Sequence, residues 1–173
     1  MDIVEKARIF ATAAHAAVDQ RRKYTNEPYI VHPKQVAQFV ETAGGTPEMI
    51  AAAWMHDVLE DTGVTPDVMR AEFGDAVTDL VLWVTDVSKK EDGNRATRKA
   101  IDRQHIAAAP GEAHTIKLAD IISNCSSIMM HDEDFAKVYF EEKRLLLEVL
   151  TKGNEGLYNY AGRLVLNEDW SLL

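Results

Sequence analysis

The chain has 173 residues, 46% of them hydrophobic and 27% charged, with a formal net charge of −9 and a pI near 5.1. That balance excludes a disordered chain, and an acidic surface repels polyanions, so nucleic acid is not an expected partner. The single cysteine, Cys125, excludes an intramolecular disulfide and argues against a thiolate zinc site within the chain.

Length points to one domain over residues 1–173. The N-terminal MDIVEKARIF carries no apolar run of the leader type, and no window reaches the apolar length of a membrane helix. A cytoplasmic address without a membrane partner is therefore expected. Ala7, Phe10, Ala14 and Val18 recur at helical spacing and predict a first helix. The next segment, RRKYTNEPYIVHP over 21–33, is too polar and proline-marked for a helix, so it is expected as a structured loop. It would carry His32 and the clearest basic cluster in the chain, Arg21, Arg22 and Lys23. Pro33 and Pro47 stand where helices begin, opening segments of about 34–43 and 48–61. Val77, Leu80, Val81 and Val84 form another stripe beyond the Phe73-Gly74 break. The segment SKKEDGNR, 88–95, reads as a charged, mobile surface loop. Further helices are expected over 95–108, 113–130, 134–151 and 156–166. No stretch alternates with period two, so the fold class is all-α, a helical bundle of about eight to ten helices.

Chemistry concentrates in AAAWMHDVLEDT, 51–62. With a turn of about 100° per residue, and His56 as origin, Glu60 falls near ~40°, Asp57 near ~100° and Asp61 near ~140°. Three carboxylates and an imidazole then share one arc, a costly crowding that a bound cation would relieve. A solvated acidic face is the alternative, but the preceding Ala51, Ala52, Ala53, Trp54 and Met55 give the segment a buried character. In HTIKLADIISNCSSI, 114–128, Asp120 sits among Leu118, Ala119, Ile121 and Ile122, and an acid so placed needs a partner. That partner is either a cation site or Lys117 or an arginine from another helix; spacing does not separate them. Asn124 follows one turn later on the same face. Two imidazoles with two carboxylates suit a six-coordinate ion such as Mn²⁺ or Fe²⁺, with Zn²⁺ also open. Metal-assisted hydrolysis of a phosphoryl group is the chemistry that follows.

His56-Asp57, with His32 before it and Asp120 well after it, resembles the H…HD…D signature of HD-domain phosphohydrolases. RRKYTNEPYIVHP, HDVLEDT and KLADIISN narrow the likeness to the hydrolase domain of RelA/SpoT-type enzymes, and the length is similar to the stand-alone small alarmone hydrolases of the metazoan SpoT-homologue type. The resemblance runs from His15 to about Tyr139. It implies an HD-type bundle with a Mn²⁺ site (Fe²⁺, Co²⁺ or Zn²⁺ as alternatives) held by His32, His56, Asp57 and Asp120. It implies that Glu60 and Asp61 activate the attacking water. Arg22, Lys23, Tyr24, Asn124 and Tyr139 would line the substrate pocket. The implied reaction removes the 3′-diphosphate of (p)ppGpp, releasing pyrophosphate and GDP or GTP, and makes a nucleotide the partner; a homodimer stays open.

Three departures bear on the substrate. Tyr24 and Asn26 stand where small residues, often glycine, commonly follow the Arg-Lys pair. Cys125-Ser126 stands where the family often has Leu-Arg, removing one phosphate-facing cation. The 88–95 loop is also unusual in composition. The same metal chemistry on an adenine alarmone, NADPH or a simple nucleotide is the second reading, and a non-catalytic nucleotide sensor is the third. His15 is expected to pack or hydrogen-bond, His105, His114 and His131 to lie at the surface, and Cys125 to be a small buried residue. Trp54, Trp83 and Trp170 are expected in the core or at a dimer contact, with the final WSLL docked on the body or on a partner chain.

Overall fold

The computed structural model describes residues 1–166, excepting the side chains of Ser126, Met129 and Glu133. The expectations for Trp170 and the terminal WSLL, and for the side chain of Ser126, lie outside the described residues. Among those residues there are nine α-helices and one 3-10 turn, with one isolated antiparallel bridge, Arg21 to Pro28, in place of any strand. The all-α reading holds. No helix among the described residues is long and apolar enough to cross a membrane. The chain divides into two compact units, Met1–Thr85 and Asp86–Leu173.

The first unit is built around α3 (Pro47–Met55), which packs against α1 (Ile3–Ala17), α2 (Val31–Thr42) and α5 (Pro66–Val84). Its run of small side chains explains that place: Ala51, Ala52 and Ala53 are fully buried, so three helices can approach closely. Thr46 caps α3 by accepting the Met49 N–H, and Pro47 occupies the first turn, where its missing donor costs nothing. Gly45 is required just before it, because a Cβ there would lie 2.6 Å from Val40 Cγ1. The first helix presents Ala7, Ala11 and His15 to the core rather than the 7, 10, 14, 18 stripe, and Val18 is exposed past its end. One step in register, from i+3 to i+4, accounts for the difference. Gly74, at φ 77°, breaks α5 where the sequence placed the break. His32 does not lie in the loop: α2 begins at Val31, since a proline at its third residue, Pro33, removes no intrahelical bond.

The second unit is organised on α7 (Gly111–His131), which packs against α8 (Glu133–Leu147) and α9 (Glu155–Leu166). Ile116, Leu118, Ala119, Ile121 and Ile122 are buried around nearly the whole circumference of α7, the pattern of a central helix. The 88–95 segment lies at the surface, as expected, and hydrogen bonds hold its first residue. Asp102 on α6 (Arg95–Ala107) accepts the N–H groups of Val87 and Ser88 at 2.9 and 2.8 Å and the Ser88 hydroxyl at 2.8 Å, and the 3-10 turn Lys90–Asp92 follows.

His114 corrects a surface assignment: it is fully buried, with Nε2 bonded to Ile106 O at 2.8 Å and Nδ1 accepting the Lys152 N–H at 3.2 Å. Burial pushes its pKa below the ordinary imidazole value. A histidine depressed in the folded state contributes fully above its unfolded pKa of about 6.5, and the contribution is lost as pH falls below that. The melting temperature of the wild type should therefore drop more steeply between about pH 7.5 and 5.5 than that of His114→Gln; equal slopes would contradict this assignment. Cys125 is buried as expected, and burial pushes its thiol up to about 12. An aromatic disulfide reagent at mildly alkaline pH should leave the folded chain unmodified and titrate one thiol only after denaturation.

Candidate metal centre

Helix α3 ends at Met55, and a separate short helix, α4 (Val58–Asp61), follows. Between them Asp57 takes φ −100°, ψ −3°, so the continuous helix expected over 48–61 is interrupted at the HD pair. No proline or glycine marks that step. The interruption turns Asp57 toward His56, and His32 arrives from the first turn of α2. His56 Nε2 lies 2.9 Å from Asp57 Oδ2 and 3.2 Å from His32 Nε2, while His32 Nε2 is 3.6 Å from the same carboxylate oxygen. His32 and His56 are 1% and 2% exposed, so the two imidazoles are held out of water.

The donor chemistry fits a divalent cation. Nδ1–H of His56 donates to Ala53 O at 2.9 Å, which leaves Nε2 of the neutral ring with a lone pair facing the cluster. The potential ligand atoms of His32, His56 and Asp57 all lie within 4.8 Å of one another. Tyr29, one helical turn before His32, donates its hydroxyl to Asp57 Oδ2 at 2.6 Å. The spacing Tyr-x-x-His was the signal for this orienting residue, and sequence reasoning passed over it.

Glu60 and Asp61 follow on α4 in the same unit, both exposed at one edge. Partial burial, opposed by a hydrogen bond from Gln20 and reinforced by the charge of Asp57, holds the Asp61 carboxyl above the usual carboxylate range. Gln20 Nε2 donates to Asp61 Oδ2 at 2.8 Å, a contact across 41 positions that the sequence did not suggest. The 21–30 loop is closed by Arg22 N–H to Glu27 O at 2.9 Å and Asn26 N–H to Arg22 O at 3.0 Å. Asn26 adopts φ 58°, so the residue standing at a common glycine position keeps the left-handed conformation that asparagine tolerates. Lys23 is exposed, its ammonium 3.3 Å from the Tyr24 hydroxyl and 4.9 Å from the ring centroid.

Asp120, Asn124 and Tyr139 belong to the second unit. Asp120 is buried, accepts from Asn124 Nδ2 at 2.8 Å, and pairs with Lys117 at 3.1 Å. Tyr139 is buried on α8 beneath the Lys143 ammonium, 4.9 Å from its ring. Desolvation, the neighbouring Lys117 and, more weakly, Lys99 bring the Lys143 pKa down to about 8 against the pull of Asp120 and Asp86. Lys99 pairs with Asp86 at 2.8 Å. Sequence reasoning missed Lys143, because a lysine among Glu141, Glu142 and Arg144 looks like any solvated helix face.

Among the described residues, the two buried imidazoles and the half-buried Asp57 carboxylate form a group that could hold a divalent cation. The family model for the HD domain matches residues 7–141, and the chain belongs to the HD-domain family. Over 170 residues it is 32% identical to the guanosine-3′,5′-bis(diphosphate) 3′-pyrophosphohydrolase of Aquifex aeolicus, covering 97% of this chain and 23% of the relative. A probable guanosine-3′,5′-bis(diphosphate) 3′-pyrophosphohydrolase of Synechocystis is 35% identical over 129 residues, covering 73% of this chain and 17% of the relative. The guanosine-3′,5′-bis(diphosphate) 3′-pyrophosphohydrolase MESH1 of Xenopus tropicalis is 33% identical over 125 residues, covering 70% of this chain and 67% of the relative. The chain thus spans less than a quarter of the two longer relatives. Among solved structures, a metazoan orthologue of SpoT that hydrolyzes ppGpp matches with a TM-score of 0.86 at 23% identity, covering 98% of this chain and 97% of that one. A Listeria monocytogenes protein matches with a TM-score of 0.65 at 24% identity, covering 82% and 97%. These two likenesses speak for the fold.

Proposed function

We propose that this chain hydrolyses guanosine 3′,5′-bis(diphosphate) or its 5′-triphosphate relative at the 3′-diphosphate, as a single HD-type phosphohydrolase domain over residues 1–173. The observation that carries the reading is the His32–His56–Asp57 set, its imidazoles buried, with Glu60 and Asp61 soon after it and Arg22-Lys23 in the same unit. The family match, which runs through residues of both units, and the pyrophosphohydrolase names of the relatives supply the substrate class.

In this reading Asp120 completes the ligand set by its place in the family signature, and Mn²⁺ is the ion. Bound there, the ion would polarise a phosphoryl oxygen and make water more acidic. The chain's own residues do the rest. Tyr29 and Ala53 O fix the orientation of Asp57 and His56. Glu60 and Asp61 orient water and take its proton as its oxygen attacks phosphorus; the bond from phosphorus to the ribose 3′-oxygen breaks, and pyrophosphate leaves as that oxygen gains a proton. Asp61 suits the role, since a carboxyl held above its usual range is a stronger base than one in its ordinary range. Arg22 and Lys23 neutralise the diphosphates, and Tyr24, Asn124 and Tyr139 border the nucleoside.

Lys23→Ala should raise KM about tenfold with kcat nearly unchanged, the loss of one charge-assisted contact of about 1.4 kcal/mol. A fall in kcat alone would remove Lys23 from substrate binding. Tyr24, held beside the Lys23 ammonium, favours a second reading in which the base differs. Turnover of guanosine 3′,5′-bis(diphosphate), its adenosine counterpart and NADPH by the Mn²⁺-loaded protein decides between them. Release from the guanosine compound supports the first reading; turnover of another compound alone moves the substrate and keeps the chemistry. Silence on all three overturns the alarmone reading and favours a sensor or a nucleotide outside the panel.

A further inference from the structure

Asp61 lies on a helix of four residues whose far end is already extended at Thr62. Asp61 is exposed overall and its carboxyl only partly desolvated, so packing alone does not fix it, and a group that must meet water at one angle loses rate when it wanders. Its restraint comes from outside α4. Gln20, just past the end of α1, donates from Nε2 to Asp61 Oδ2 at 2.8 Å. The other end of the same amide, Oε1, lies 2.7 Å from Nδ1 of His15. A carbonyl oxygen can only accept, so Nδ1 of His15 carries the proton, and this fixes which way the amide faces. The backbone of Gln20 is pinned as well: its N–H donates to His15 O and its carbonyl accepts from Tyr29 N–H, both at 3.1 Å.

His15 is 1% exposed, and its second ring nitrogen, Nε2, is buried without a hydrogen-bond partner. A buried donor or acceptor left unsatisfied is a cost that an apolar side chain would avoid. The ring also packs against Tyr29, centroids 4.9 Å apart, but that contact needs no ring nitrogen, whereas the bond from Nδ1 to Gln20 does. We infer that Gln20, locked by His15, is a positioning residue that holds the Asp61 carboxylate for the reaction. The inference rests on the reading of Asp61 as a water-activating acid and adds two residues that never touch substrate. The link between α1 and α2 thus reaches the site by two arms, Tyr29 to Asp57 and Gln20 to Asp61.

The test combines kinetics with a spectroscopic readout. Gln20→Met removes both polar ends at similar volume, and should lower kcat about 10- to 100-fold while KM and Mn²⁺ affinity stay within about twofold. In an Asp61→Asn background the same change should cost less than about twofold, because the residue acts through Asp61. His15→Asn, which keeps a donor near Nδ1, should retain most of kcat, and His15→Leu should behave like Gln20→Met. In a nitrogen–proton correlation spectrum, the Gln20 side-chain amide should be resolved and slow to exchange in the wild type, and solvent-like in Asp61→Ala and in His15→Leu. Equal losses in both backgrounds, a loss through KM or Mn²⁺ affinity, or full activity in Gln20→Met would overturn the inference. Full activity in Asp61→Asn would instead overturn the reading of Asp61 beneath it. A solvent-like Gln20 amide in the wild type would overturn the geometry whatever the substrate proves to be.

Discussion

His56→Ala is expected to remove divalent-cation binding and turnover together. His56 is the hinge of the cluster: its Nε2 stands 3.2 Å from His32 Nε2 and 2.9 Å from Asp57 Oδ2, closer to each than they are to one another. The ring is oriented by Ala53 O, so its lone pair is prepaid in orientation. Loss even of such an orienting bond typically costs about 10- to 100-fold in metal affinity, and loss of the ligand itself should exceed that. Titration calorimetry with Mn²⁺, beside pyrophosphate release, reads both quantities on one preparation. The far-ultraviolet spectrum should stay helical, since α3 is anchored by Ala51, Ala52 and Ala53. Retention of tight Mn²⁺ binding in His56→Ala would move the centre elsewhere.

Glu60→Gln and Asp61→Asn are expected to separate what His56→Ala joins. Neither residue belongs to the group of potential ligand atoms that the first unit brings together from His32, His56 and Asp57. Both variants should therefore bind Mn²⁺ as the wild type does, yet lose about 10²- to 10⁴-fold in kcat, the usual worth of a general base. Asp61→Asn carries a second expectation in the metal-free protein. Its carboxyl is raised in the folded state, chiefly by burial, so the folded chain holds a proton more tightly than the unfolded one. Stability from this group is then present below the unfolded pKa and declines as pH rises through the folded value. A neutral amide escapes that decline, so Asp61→Asn should melt no lower than the wild type at neutral pH. Loss of function with retained or raised stability is the mark of a site group; a large drop in melting temperature would make Asp61 structural instead.

Much of this arrangement was legible because single residues state their reasons. Thr46-Pro47 opens α3, and AAAW makes it the buried axis of the first unit. Gly74 breaks α5, and the apolar neighbours of Asp120 announce a buried acid. The interruption at His56-Asp57 was not legible, because nothing in MHDVLED is a helix breaker. His114 was misplaced because Glu112, Thr115 and Lys117 around it suggest solvent, whereas its two nitrogens are satisfied by Ile106 O and Lys152 N–H. The basic loop was expected to reach His32, but α2 starts early enough to carry that histidine on a helix. Pairings between distant residues, Gln20 with Asp61 and Tyr29 with Asp57, left no periodic trace, since each involves one side chain meeting another across a fold.

The most direct measurement of the central claim is the product formed from guanosine 3′,5′-bis(diphosphate) by chelator-stripped protein before and after Mn²⁺ is restored. Metal-dependent appearance of pyrophosphate and GDP in equal amounts, with no orthophosphate, is the predicted result. Metal-independent turnover, or release of orthophosphate in place of pyrophosphate, would contradict it.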